Sequence, residues 1–280
     1  MNKIIPILLL VLMTIPVTSK ANSNWMTSLE DAKKMSKLLN KPILIDFWAD
    51  WCAPCKKMDW DVWDNDEIKL LMNNFIPVKI DIDSNRSVSS KYNVRGIPNV
   101  MILDSWGNQL YASVGYKNKQ YISDLLTSFS LNIASINRVM FILEKDPENV
   151  FSNLRVALKF QDVGFIINGD SKQSFIKRSN YYLKNAIKYV DKEDLITLEK
   201  IELLKLLNKA YLKSYKSVLK KLEKGFKDVE TKNKGLYLFI KYYCFSKLEL
   251  ESDTEKIHKE ILTIENNGSY LKKINFLLEK

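Results

Sequence analysis

The chain has 280 residues, 46% of them hydrophobic and 27% charged, with only 8 glycines and 7 prolines, a composition that supports a folded core and excludes a disordered or low-complexity protein. Three cysteines are too few for a disulfide-stapled scaffold, and a single histidine, His258, excludes histidine-based zinc chemistry. The net charge of +10 is uneven: residues 22–130 carry 13 basic and 13 acidic side chains and residues 131–280 carry 28 and 20, a shift that predicts a domain boundary near residue 130.

The chain starts with Lys3, an apolar run over 4–17 and the small-x-small ending Ser19-Lys20-Ala21. This pattern predicts a signal peptide over residues 1–21, cleaved near Ala21. The alternative, a retained anchor, is disfavoured because the run falls short of the roughly 20 residues that span a bilayer and is broken by Pro6 and Pro16. The expected mature protein is exported and soluble: periplasmic in a bacterium with an outer membrane, secreted otherwise.

Thr27 and Glu30 have capping-box spacing, and Leu29, Ala32, Met35 and Leu39 recur at helical intervals, which predicts a first helix ending near Leu39. Residues 42–48 form a short apolar run suited to a strand covered on both faces. A helix broken near Asn65 is expected up to about Asn74, then strands over 75–82, 99–103 and 109–114, the last two joined by the turn residues 104–108, and a helix over 119–130. Beyond residue 130 the signal is helical. Leu204, Leu207, Tyr211, Tyr215, Val218, Leu222 and Phe226 are spaced as one helix face. Five to seven amphipathic helices are expected there, without a fixed repeat, so a helical-repeat array stays open.

Trp51-Cys52-Ala53-Pro54-Cys55-Lys56 follows the first strand and opens a helix. Unpaired N–H groups at a helix start stabilise a thiolate, so Cys52 is the candidate nucleophile, with Cys55 one turn deeper and placed to resolve a mixed disulfide. There is no second Cys-x-x-C to complete a zinc site. On the motif alone, half of another metal site, a structural disulfide and chance all remain open. Lys56 and Lys57 favour a thiolate only weakly once screened.

In motif and order these residues resemble the thioredoxin superfamily. Asp46-Phe47-Trp48-Ala49-Asp50-Trp51-Cys52-Ala53-Pro54-Cys55-Lys56 is similar to its active-site segment, and Arg95-Gly96-Ile97-Pro98 to the segment carrying its cis-proline. The stretch from Asp59 to Glu67 is similar to exported members and to the C-terminal domain of the membrane thiol–disulfide interchange reductase. The resemblance covers about residues 25–130 and implies an α/β thioredoxin-like fold, a mixed central sheet flanked by helices, with the all-α region over 131–280 appended. It implies that Cys52 and Cys55 form the redox-active disulfide, and that Asp46 is the buried carboxylate exchanging protons with Cys55, paired with Lys79. Trp51, Ala53, Pro54, Ile97 and Pro98 would form the substrate-binding surface, with Pro98 cis and the Ile97 backbone open to an extended segment. Implied partners are disulfide-containing client proteins and an electron-donating thiol reductase, membrane-bound or soluble; no further cofactor or metal is implied.

Ala53 departs from the family's usual glycine, as do the long acidic, tryptophan-rich stretch after the active site and the appended helices. Pro54 and Ile97 resemble the reducing members, which favours a reductase over an oxidase or isomerase. A non-enzymatic alternative makes the helical half a docking or chaperone module. Its basic residues are nearly all lysine on a chain expected to be exported, which argues against nucleic acid and leaves an acidic partner or an anionic surface. Cys244, four residues after Ile240 and eight after Leu236, is expected to be a small buried hydrophobe, a regulatory thiol being the alternative.

Overall fold

The structure, a computed structural model, describes residues 25–167 and 169–279; the signal segment expected over 1–21 lies outside them. Helix α1 (Leu29–Leu39) is capped by Ser28, whose Oγ accepts the Asp31 N–H at 3.2 Å. Ser28 therefore holds the position that the sequence pattern assigns to Thr27, and Glu30 with Asp31 sits favourably in the first turn. Asn40 closes the helix in the left-handed region and turns the chain into β1 (Ile43–Trp48). There follow α2 (Ala53–Met58), a π turn (Asp59–Trp63), α3 (Asp66–Met72), β2 (Ile76–Asp81), α4 (Arg86–Lys91), β3 (Asn99–Leu103), β4 (Gln109–Val114) and α5 (Lys119–Phe129).

The strands form one mixed sheet in the order β2-β1-β3-β4. β1 runs parallel to β2 and antiparallel to β3, which is antiparallel to β4. Alternation along β1 sends Ile43, Ile45 and Phe47 into a core with Leu29 and Ala32 of α1, against which Val88 and Tyr92 pack. Leu44 enters the opposite core with Met58, Val62, Ile68 and Ile122. The β3–β4 turn needs Gly107 (φ +80°): a Cβ there would come within 2.7 Å of Lys33 Cε and 2.8 Å of the Tyr92 hydroxyl.

Beyond α5 the described residues form eight α-helices, more than the five to seven expected: α6 (Ala134–Lys145), α7 (Val150–Ile166), α8 (Gly169–Tyr189), α9 (Leu195–Tyr211), α10 (Tyr215–Gly225), α11 (Lys234–Lys247), α12 (Glu251–Leu262) and α13 (Gly268–Leu278). The apolar stripe from Leu204 to Phe226 is not one helix. It breaks at Lys213, held at φ 68°, after which α10 starts afresh with Val218 and Leu222 buried.

The composition shift near residue 130 is not a gap in packing. One continuous apolar core runs from Val100 and Ile102 of β3 through Leu126 and Phe129 of α5 into Ile136, Phe160 and Phe175. Phe129 meets Phe175 at 6.0 Å between ring centroids, and the Ser128 and Ser171 hydroxyls lie 3.0 Å apart. At the other junction Asn137 Nδ2 donates to Asn40 Oδ1 at 3.0 Å, and Trp106 packs edge-on against Phe141 at 5.1 Å. Asn40 lies three residues before β1, whereas the cysteines follow its far end, so α6 docks about 17 Å of strand away from them.

Candidate active site

β1 carries the chain out of the core at Trp48, and four residues later Cys52 becomes the N-cap of α2. The turn is fixed by the Cys52 N–H donating to the Ala49 carbonyl at 3.0 Å, and Pro54 in the first helical turn has a φ suited to that place. Cys52 and Cys55 are joined in a disulfide, with Cα atoms 5.3 Å apart. The Cys55 N–H points at Cys52 Sγ from 3.2 Å. That donor, with the positive end of α2, is what a Cys52 thiolate would receive after reduction. Both sulfurs are nearly covered, while Trp51 is 68% exposed and Ala53 and Pro54 are also exposed.

Asp46 lies on the β1 face that meets α2, and the parallel register sets it opposite Lys79. Its carboxyl is 2% exposed, and Oδ1 has no hydrogen-bond partner among the described residues. Burial pushes its pKa up to about 7, against the pull of Lys79; Asp59 adds to the rise, and the Trp63 indole weakly opposes it. Lys79 Nζ lies 3.9 Å from Asp46 Oδ2 and also bonds Asp59 Oδ1. The rings of Trp48, at 5.0 Å, and Trp25, at 5.9 Å, flank the ammonium group.

The Ile97–Pro98 peptide bond is cis. Phe47 of β1 stands opposite Asn99, the residue after Pro98, so this loop reaches the same end of the sheet as the turn leading to Cys52. Pro98 is buried and its carbonyl accepts the Gly115 N–H at 2.8 Å, while the Ile97 backbone makes no backbone hydrogen bond among the described residues. Gly96 allows the close approach to β4, where a Cβ would come within 3.1 Å of Val114 Cγ1.

The structure thus brings Cys52 with Cys55, and Asp46 with Lys79, and sets Trp51, Ala53, Pro54, Ile97 and Pro98 around the same end of the sheet. Three participants escaped the sequence reading. Asp59 shares Lys79 because α2 runs into a π turn; its four-residue spacing from Cys55 was the available signal. Asp83, in the loop after β2, accepts the Trp51 indole N–H at 2.8 Å and anchors that ring. Trp63, buried in the same π turn, weakly lowers the Asp46 pKa, although its indole N–H makes no hydrogen bond among the described residues. Cys244 is fully buried on α11, and burial pushes its thiol up to about 12, so it takes no part in this site. Among the described residues no group of three or more metal-ligating side chains converges.

A family model described as thioredoxin-like matches residues 24–105. The chain is similar to a thioredoxin of Rickettsia felis, 36% identical over 84 residues that cover 30% of this chain and 76% of that protein. It is also similar to the thiol:disulfide interchange protein DsbD of Yersinia pestis, 28% identical over 83 residues, 28% of this chain but only 14% of that protein. Among solved structures a thioredoxin variant from Halobacterium salinarum is 27% identical, covering 38% of this chain and 89% of its own, with a TM-score of 0.31.

Proposed function

The chain belongs to the thioredoxin superfamily, and from that premise we propose that it is an exported thiol–disulfide reductase acting on disulfides of client proteins through Cys52 and Cys55. The observation that carries the reading is the placement of Cys52 at the start of α2, beside a sheet that buries Asp46, whose pKa burial pushes up to about 7. The reduced Cys52 thiolate attacks a client disulfide, forming a mixed disulfide and releasing the first client thiolate. Asp46, its carboxylate ionised, takes the Cys55 thiol proton, and the Cys55 thiolate attacks Cys52 Sγ. The client leaves as a dithiol and the enzyme is left as the Cys52–Cys55 disulfide. Two electrons from a donor dithiol, on a membrane-bound or soluble reductase, restore the cycle.

An extended client segment would pair with the open Ile97 backbone beside Pro98, with Trp51 as its apolar neighbour. The reducing direction rests on the likeness of Pro54 and Ile97 to the reducing members, and export rests on the leader pattern of residues 1–21. The helical half would then be a fixed attachment on the side away from the sulfurs, free to engage the partner or the donor.

A reduction potential measured against glutathione separates the directions: about −270 mV suits a reductant and about −120 mV an oxidant. Cys55→Ala should accumulate mixed disulfides through Cys52, and the trapped proteins are the clients. The proposal fails if wild-type protein does not reduce insulin disulfides with a dithiol donor, or if no adduct forms on Cys52. Fractionation of the expressing cell tests export independently.

A further inference from the structure

Where α8, α9 and α10 meet, a recess of about 450 Å³ is lined by Asn180 and Lys184 from α8, Lys205 and Lys209 from α9, and Lys221 from α10, over the apolar Leu206 and Phe226. Its one acidic lining residue, Glu202, is engaged by Lys205 at 2.7 Å. Lys184, Lys209 and Lys221 have no ion pair among the described residues. The neighbouring ammonium of Lys221, with burial, holds Lys209 below the ordinary lysine range by like-charge repulsion. The wider surface has the same sign: residues 205–227 contain eight lysines and a single acid, Glu223.

The recess also offers a neutral donor whose orientation is set from inside. Asn208, fully buried, donates from Nδ2 to Asn180 Oδ1 at 2.8 Å and to Ser179 Oγ at 3.0 Å, and accepts from Gln161 Nε2 at 2.8 Å. With its oxygen committed to Asn208, Asn180 turns its Nδ2 group away from that network. Three helices therefore bring uncompensated ammonium groups and an amide donor to one cavity large enough for an ion with an organic substituent. Lysines act as point charges and can surround a tetrahedral anion such as phosphate from several directions.

We infer that the recess bounded by Lys184, Lys209, Lys221 and Asn180 is a binding site for a phosphate group, free in solution or carried on a lipid headgroup. It is independent of the redox centre, so its occupancy leaves dithiol–disulfide exchange at Cys52 unchanged.

The test is titration of the mature chain with inorganic phosphate at constant ionic strength, followed by calorimetry and by the Asn180 side-chain amide resonance. A saturable one-to-one response is expected, with sulfate competing and acetate inert. The double variant Lys209→Gln/Lys221→Gln should bind at least tenfold more weakly, with unchanged circular dichroism and insulin reduction, while Lys256→Gln on α12 should bind as wild type. Sedimentation with phosphatidylglycerol–phosphatidylcholine vesicles separates the sources: binding lost in the double variant assigns a lipid headgroup, and phosphate binding without vesicle binding assigns a soluble phosphate. The inference is overturned if neither phosphate nor vesicles bind, if binding survives in the double variant, if acetate responds as phosphate does, or if only a glutamate-rich peptide binds.

Discussion

Asp46 and Lys79 face each other across the parallel β1–β2 ladder, with 3.9 Å between carboxylate oxygen and ammonium, yet the stronger bond from Lys79 goes to Asp59. The buried acid is thus only partly neutralised, and its proton affinity is raised to about 7 rather than lowered. In the oxidised protein this makes Asp46 a stability liability with a definite pH course. The folded state holds the proton more tightly than the unfolded chain, so stability is full below the unfolded value of 3.8 and falls as pH rises toward about 7. Asp46→Asn should therefore leave stability near pH 4 little changed and raise it at pH 8, by up to about 4 kcal/mol. Urea unfolding of oxidised wild type and variant at both pH values measures the difference. In the reduced protein the same variant should slow insulin reduction and lose the rate inflection near pH 7.

Lys79 and Asp59 act on that carboxyl with opposite signs. Lys79→Gln should move the Asp46 midpoint up, because the stabilising cation is gone. Asp59→Asn should move it down, by removing a like charge and freeing Lys79 for Asp46. Carbon-13 titration of the Asp46 carboxyl in the oxidised protein reads both shifts. Movement of the two variants in the same direction would contradict the shared-lysine arrangement.

Asp83 holds the ring of Trp51, itself 68% exposed, through one hydrogen bond to a charged acceptor. Asp83→Ala should cost little stability, about 1 kcal/mol at most, since the site is open to water. It should loosen the ring, seen as faster fluorescence depolarisation, and raise KM for a client disulfide more than it lowers kcat. An unchanged KM would remove Trp51 from the client surface.

Residues whose roles follow from local pattern were readable in the sequence. The apolar run over 42–48 announced a strand covered on both faces, and β1 is buried on both. The glycine and asparagine after Asp104 announced the hairpin, and β3 and β4 pair across it. α4 was not readable because Arg-Ser-Val-Ser-Ser-Lys has one apolar residue and therefore no periodicity. The break at Lys213 was hidden for the opposite reason: the stripe from Tyr211 to Tyr215 continues at a four-residue step across it. The spacing of Asp59 from Cys55 places it near the active-site helix, but its pairing with Lys79, on a strand 20 residues away, arises only through the π turn and is not encoded locally. The shared core of the two halves is tertiary contact between separately amphipathic segments, which no local pattern encodes.

That shared core makes the last prediction. Phe129, Phe160 and Phe175 are each at most 1% exposed, and Phe175 touches both of the others at 6.0 Å between centroids, bridging α5 to α7. All six tryptophans lie at or before Trp106, so tryptophan fluorescence reports the sheet-bearing half, whereas far-ultraviolet circular dichroism is dominated by the helices beyond α5. Phe175→Ala removes a side chain from the helical half and should destabilise by about 3–5 kcal/mol. Because its cavity would open in a core common to both halves, the two probes should shift together to one lower midpoint. If fluorescence kept the wild-type midpoint while circular dichroism moved, the two halves would unfold as separate units and the continuous packing would not couple them.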